Sequence, residues 1–409
     1  MPLKEIDAKT FGAFAQHCPS GSFMQSPEMA KLLPKRGFET TFLGLEKDGQ
    51  LQVAGLVYTM PMTGGLHMEI NSGPLSLDTQ YLKEFYQALQ TYAKKAGALQ
   101  LLVKPYETYQ TFDSNGQATG TEQEHFITDL TNLGYIHDGL TTGYPGGEPD
   151  WHYVKDLSGL TEDSLLASFS KKGRPLVKKA LSFGIKTRTL ERHELPLFKD
   201  ITAATSERRD YEDKSLDYYQ DFYDSFGDKA EFRVATLHFT DYLTHLKSDR
   251  EQLLARLKTT EEAILATGSA KQKNLAKELS SQVATFDTRI EEAQSFVDRF
   301  GDDEVILAGA LFIYDRHETA YLFSGSYPEF NRFYAPAILQ LEAMKETLKH
   351  QIPTYNFLGI TGLFDGSDSV LRFKQNFNGY ITRKMGTFRY YPSPLKFKVI
   401  SLIKKVLGR

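Results

Sequence analysis

A chain of 409 residues is longer than one hydrophobic core usually fills, so two domains with an appendage is the expected plan. Its 48 Lys and Arg against 52 Asp and Glu leave a net charge of -4, which excludes a globally basic nucleic-acid binder and confines any such contact to a local patch. The lone cysteine, Cys18, excludes an internal disulfide and a thiolate metal cage, and suits a reducing compartment.

The N-terminal MPLKEIDAKTFGAF lacks the apolar core of a signal peptide. No stretch nears the ~20 apolar residues of a membrane span, so the expected location is cytosolic, dissolved or peripheral. Residues 39–49 and 50–62 read as a strand pair turning at Asp48-Gly49. A helix over 77–97 with a glycine stop, a buried strand over 98–106, and a helix leading into a strand over 124–139 follow. The next block opens with a helix over 160–184 behind the capping residue Thr161, then a strand over 185–190 and a helix over 194–209.

Residues 241–300 contain no proline and only Gly268. Apolar residues from Leu243 to Ile264 and from Leu275 to Val297 keep a three-four spacing, broken at 267–272. That pattern predicts an antiparallel coiled-coil arm. Two strands over 305–326, a helix over 335–353 and a strand over 354–360 complete the body. The expected plan is therefore α+β: a first lobe over 1–155, a second over 156–240 and 301–392, the arm inserted at 241–300, and a basic amphipathic helix over 393–409. In that last segment Leu395, Val399, Leu402, Ile403 and Val406 lie near helical spacing among lysines, with no acid. It suits an anionic bilayer surface, and docking on the body is the competing reading.

Several segments, in order along the chain, carry a resemblance: SFMQSPEM (22–29), NSGPL (71–75), LVKPYETYQTFD (102–113), SFSKKGRPLVKKA (168–180), DKSLDYY (213–219), YLFSGSYPEFNRFYAP (321–336), YNFLGITGLF (355–364) and VLRFKQNFNG (370–379). With the arm, they resemble the Fem aminoacyltransferases, the MurN-like members more than the FemA-like ones. The resemblance implies two GNAT-like (N-acetyltransferase-type) lobes. It also implies a reaction in which aminoacyl-tRNA, as co-substrate in place of any cofactor, acylates an amine of the peptidoglycan precursor. The implied partners are alanyl-tRNA and lipid II already carrying one branch residue.

The resemblance also places roles. Lys374 falls where the family has a functional lysine in F-K-x-x-[FY], and a fixed cation or donor there would stabilise charge on the ester oxygen. Its competing reading is a surface lysine beside a strand. Lys214 and Tyr218 match an arginine and tyrosine that contact the precursor's diphosphate and sugar, with lysine here lacking the bidentate fork and Arg208 and Arg209 close by. Lys35 and Arg36 fall near a phosphate-binding lysine. Tyr321, Gly325 and Phe357 match the acceptor channel, where glycine admits close approach of a ligand. Core packing is the alternative for Tyr321 and Phe357, and a solvated helix face for Lys214. Lys104 stands where some relatives carry an acid before the proline.

Lys171, Lys172, Arg174, Lys178 and Lys179 form a patch without acids that would neutralise tRNA phosphates, or be a solvated face. No Ser-His-Asp order, zinc spacing, P-loop or dinucleotide fingerprint is present. Two rival functions remain open on sequence grounds. An acyl-CoA-dependent N-acyltransferase would need a Q/R-x-x-G-x-G/A loop that the chain lacks. A coiled-coil scaffold for cell-wall enzymes needs no chemistry at all.

Overall fold

The computed structural model describes residues 2–145, 149–209 and 212–406, without the side chains of 209, 267 and 406. In chain order the strands are β1 (Lys4–Ile6), β2 (Glu39–Lys47), β3 (Gln50–Met62), β4 (Gly65–Asn71), β5 (Leu75–Ser76), β6 (Ala98–Lys104), β7 (Thr108–Phe112), β8 (Ile136–His137), β9 (Trp151–Asp156), β10 (Lys186–Thr189), β11 (Ala230–His238), β12 (Glu304–Tyr314), β13 (Thr319–Ser326), β14 (Thr354–Ile360), β15 (Tyr380–Lys384) and β16 (Phe388–Tyr390). The helices are α1 (Ala8–Ala15), α2 (Pro27–Lys35), α3 (Leu82–Lys95), α4 (Glu124–Asn132), α5 (Glu162–Leu165), α6 (Gly173–Leu181), α7 (Leu195–Arg209), α8 (Leu216–Phe226), α9 (Phe239–Thr267), α10 (Ala270–Phe300), α11 (Ala335–Lys349), α12 (Ser369–Lys374) and α13 (Pro394–Val406). The α+β class and the two sheet-based lobes are as expected.

One eight-stranded sheet runs β1-β2-β3-β4-β6-β16-β8 with β5 on β3; the other runs β10-β11-β12-β13-β14-β9-β15-β7. The expected lobe boundary at 155 does not coincide with this pairing. β7 and β9 leave the first lobe to pair with β15 and β14, and β16 returns to pair with β6 and β8. Pairing and burial drive the exchange. Phe388 of β16 is fully buried in the core under α3, and Trp151 and Tyr153 of β9 sit in the core of the second lobe.

The β2–β3 hairpin turns at Asp48 (φ 51) and Gly49 (φ 78), the double left-handed geometry that an Asp-Gly turn provides. Its residues alternate between two cores. Leu43, Leu45, Val53 and Val57 pack under α3. Phe42 and Leu56 face the other way, into a core shared by both lobes with Phe198, Ile201, Tyr219 and Phe222. That shared core holds the lobes against one another.

The helix expected over 160–184 is broken. Thr161 caps α5 through a reciprocal pair with Ser164, Phe169 turns extended, and α6 restarts at Gly173. Arm helices α9 and α10 turn at Gly268 (φ 64), so the hairpin is tighter than the break expected at 267–272. Its base is an aromatic cluster in which Phe239 stacks on Phe296 at 4.5 Å. Leu243, Leu246, Leu279 and Val283 are buried, whereas Leu265 near the tip is 88% exposed. The C-terminal α13 leaves Leu395 79%, Val399 57%, Leu402 64% and Ile403 51% exposed.

Candidate active site between the lobes

A cavity of about 760 Å³ opens where the two lobes meet. One wall comes from the segment Ser22–Met24, which Gln25 pins in place. The Gln25 side chain accepts from the Leu56 N–H (2.7 Å) and donates to the Leu56 and Asn71 carbonyls (3.2 and 2.7 Å). The opposite wall comes from β13, the end of β14 and α12. Lys374, Arg36, Lys214, Tyr218, Tyr321, Gly325 and Phe357 all line this one space, although the sequence scatters them. Lys35 does not.

Lys374 ends α12 and is 3% exposed, which removes its reading as a surface lysine. Asp368 caps that helix, accepting from the N–H groups of Val370 and Leu371, and its other oxygen accepts from Thr361. The Lys374 ammonium donates to the carbonyls of Leu358 (3.1 Å) and Gly359 (2.6 Å). Burial pushes its pKa down to about 7, against the opposing pull of Asp368. Two of the nitrogen's tetrahedral directions are therefore occupied by carbonyls, and one remains for a third hydrogen or a lone pair.

The two carbonyls are presented by an irregularity in β14. The pairing with β9 slips between Asn356 and Gly359, and Leu358 adopts φ 56, a left-handed conformation costly for a branched side chain. Next to it lie His152, Tyr106 and Asn356, of which His152 and Tyr106 face the cavity. Burial drives the His152 imidazole well below its ordinary range, with Lys384 and Lys374 adding to the effect.

A cationic group also lines the cavity. The Arg36 guanidinium lies 4.0 Å over the Tyr218 ring, and Lys214 lies 5.5 Å from the same ring. Arg36 Nε and Nη2 are buried without a hydrogen-bond partner among the described residues, an unfilled donor pair suited to an anion. Arg208 also lines the cavity and donates to the Ser326 carbonyl. The Arg209 side chain lies outside the described residues. Lys214 lies outside the helix that carries Tyr218. Ser215 caps α8 by accepting from the Tyr218 N–H, which leaves Lys214 ahead of the first turn. Lys35 instead pairs with Asp221 at 3.3 Å on the outer face.

Gly325 lines the cavity and also admits the close approach of a helix. A Cβ there would fall 2.5 Å from the Ile201 carbonyl oxygen and 2.8 Å from Thr205 Oγ1 of α7. Phe357 is 1% exposed and packs edge-on against Tyr153, Tyr321 and Tyr355, so it is core as much as lining. The Tyr321 hydroxyl donates to Ser324 Oγ at 2.5 Å. Lys104 pairs with Glu69 at 3.1 Å in a small adjoining hollow.

The FemAB family model matches residues 6–405. The chain belongs to the FemAB family. Aminoacyltransferase FemA from Staphylococcus aureus strain bovine RF122 / ET3-1 is 28% identical over 419 residues, covering all of both chains, and FemA from strain MW2 matches equally. A crystal structure of FemX superposes with a TM-score of 0.76 at 20% identity, covering 97% of this chain and 98% of that one, and shows the shared fold.

In this FemAB protein the basic patch on α6 and the turn before it abuts the turn that follows Lys374. The Ser170 N–H donates to the Asn376 carbonyl (3.0 Å), and Gly173 packs on the same carbonyl. Lys171, Lys172, Lys178 and Lys179 are exposed around it and Arg174 is half-buried. Among the described residues no cluster of three or more His, Cys, Asp or Glu is placed to hold a metal ion, and no helix is long and apolar enough to cross a membrane. Sequence reasoning missed His152, Asn356 and Glu318. Asn356 and His152 lie in strands and Glu318 in the polar turn 315–318, and the only signal was a polar side chain at a position the fold turns inward.

Proposed function

We propose that this FemAB-family enzyme transfers an aminoacyl group from aminoacyl-tRNA to an amine on the side branch of lipid II, as a step in peptidoglycan interpeptide-bridge synthesis. The residue transferred is alanine, from alanyl-tRNA, and the acceptor already carries one branch residue. The observation that carries this reading is that Lys374 and the Arg36–Tyr218–Lys214 group line one interlobe cavity. The seated lysine suits a reacting carbonyl and the cationic group a diphosphate. The relatives named aminoacyltransferases support the reaction type.

The acceptor nitrogen attacks the ester carbonyl carbon, the carbon–oxygen bond to the terminal ribose breaks, and the ribose oxygen takes the proton the amine gives up. Lys374 directs its third N–H at the developing oxyanion. The carbonyls of Leu358 and Gly359 fix the nitrogen beforehand, so no reorganisation is needed in the transition state. The ester is already activated, so no covalent enzyme intermediate and no cofactor is required. The exposed basic residues of α6 hold the tRNA backbone beside α12. Helix α13, with lysines and an exposed apolar stripe, rests on the anionic inner surface of the plasma membrane where the lipid-linked acceptor lies.

The test incubates the pure protein with alanyl-, seryl- and glycyl-tRNA, and separately with acetyl-CoA, on lipid II with and without one branch residue. Product masses are then read. A mass increase of one alanine on the singly branched acceptor is expected. Transfer from acetyl-CoA alone would overturn the reading.

A further inference from the structure

Lys374 is seated by two backbone carbonyls, and the strand that offers them is not in its relaxed form. What holds Leu358 left-handed is visible in the hydrogen bonds around Asn356. Asn356 Oδ1 accepts from the Leu358 N–H at 2.8 Å, closing a tight loop over the bulge. The carboxamide nitrogen faces three acceptors: Glu318 Oε2 at 2.9 Å, the Tyr106 hydroxyl at 3.1 Å and His152 Nδ1 at 3.2 Å. Tyr106 in turn donates to Glu318 Oε1 at 2.6 Å. A flipped carboxamide would set Oδ1 against the Glu318 carboxylate, so the network permits one orientation.

Every member of this group is held. Asn356 is 1% exposed and Glu318 6%. Burial raises the Glu318 carboxyl above its ordinary value, against the pull of Lys384. Lys384 donates to the Tyr106 carbonyl at 3.0 Å and lies 3.5 Å over its ring. The group draws on four separate segments: the link after β6, strand β9, the turn after β12, and β14. A polar cluster this costly to bury, clamped on the strained bulge that presents the carbonyls of Leu358 and Gly359, has a specific mechanical output.

We infer that Asn356 is a positioning residue for the transfer: its carboxamide, oriented by Glu318 and Tyr106, holds the β14 bulge whose carbonyls at 358 and 359 fix the Lys374 nitrogen. Asn356 touches no reacting atom. It acts through Lys374 and so rests on the role given to Lys374 above.

The experiment compares native protein, Asn356→Ala, Lys374→Ala and the double variant. Thermal melting first establishes that each is folded. Asn356→Ala lowers kcat by about 100-fold while KM for both substrates stays within about twofold, because the reacting geometry and not ground-state binding is lost. In the Lys374→Ala background the same substitution changes the residual rate by no more than about twofold. An equal loss in both backgrounds overturns the inference.

A second measurement needs no turnover. Competitive labelling with an amine-reactive anhydride, read by mass spectrometry, follows the Lys374 titration. Its midpoint, about 7 in the native chain with Asp368 and His152 as its ionisable neighbours, rises by about one unit or more in Asn356→Ala as the seat loosens and water enters. An unchanged midpoint in a folded variant overturns the inference. A changed midpoint with no aminoacyl transfer by native protein sinks the proposed function instead and leaves the seating intact. Should Asn356→Ala fail to fold, Asn356→Asp keeps the volume and sets two carboxylates face to face. Its loss of turnover is then restored by adding Glu318→Gln, and absence of that rescue overturns the inference.

Discussion

Gly173 presses on the backbone of Asn376 so closely that a Cβ at 173 would lie 1.8 Å from the Asn376 carbonyl oxygen. The neighbour is main chain, so it cannot swing aside as a side chain end would. This contact ties the start of α6, with its lysines, to the turn that follows Lys374. Gly173→Ala must push the two segments apart, at a cost on the order of 1–3 kcal/mol. Urea melts of the variant should show a lowered midpoint, and its turnover should fall more than its affinity for the acceptor. A Gly173→Ala protein with native midpoint and rate would show that the contact constrains nothing.

Arg36 and Lys35 are adjacent in sequence and separated in role. Arg36→Ala removes a half-buried guanidinium with two unpartnered nitrogens from the cavity and should raise KM for a diphosphate-bearing acceptor about tenfold or more, at the scale of a charge-assisted hydrogen bond. Lys35→Ala breaks only a half-exposed pair with Asp221 and should change KM by less than about twofold. Steady-state kinetics on both variants decides the matter. A larger effect at 35 than at 36 would reverse the assignment.

Lys374 makes stability depend on pH in a known direction. Its folded pKa of about 7 lies below that of a free lysine, so between the two values the unfolded chain binds more protons and stability rises with pH. The penalty for burying the ammonium is fully present below about pH 7 and fades as pH climbs toward the lysine range. Lys155 and Lys384, each lowered to about 8 by burial, act in the same sense. The stability difference between Lys374→Met and native protein should therefore shift in favour of Met as pH falls from 10 to 7, by an amount on the order of a few kcal/mol. Chemical melts at pH 6, 8 and 10 would test this, and a difference independent of pH would contradict the buried charge.

The patch on α6 should reveal itself through salt. Replacing Lys171, Lys172, Lys178 and Lys179 with Gln should weaken tRNA retention on filters and flatten its dependence on salt by roughly 0.7–0.9 log units per lost phosphate contact. Affinity and slope both unchanged would return these lysines to a solvated helix face.

Helix α13 offers a separable property. Serine at Leu395, Val399, Leu402 and Ile403 removes the exposed apolar stripe without touching the cavity. Sedimentation with anionic vesicles should drop severalfold, while turnover on a water-soluble acceptor stays native. Equal sedimentation by both proteins would discard the membrane surface as the partner of this helix.

Local features of the fold were legible from the residues themselves. The Asp48-Gly49 hairpin follows from turn chemistry within four residues, and the arm from a long apolar repeat free of proline. The motif around Lys374 singled out a lysine that the fold buries at the interlobe cavity. Non-local pairing was not legible: nothing near Thr111 or Phe388 indicates that the one pairs with Thr382 and the other with Val103. At Gly325 a missing Cβ does not say which neighbour approaches; Ile201 and Thr205 do, while the residue also lines the cavity. Asn356 escaped notice because its work is done on a main chain conformation, which composition does not encode.

The exchange of β7, β9 and β16 between sheets has a consequence for how the chain comes into being. The first sheet lacks its penultimate strand until Phe388–Tyr390 has been made, long after β6 and β8 on either side of it. Neither half could be excised and expressed alone with its hydrogen bonding complete. A nascent chain stalled anywhere short of that point would present the bare edge of β6 to its surroundings, so holdase chaperones should engage this protein until β16 is in place.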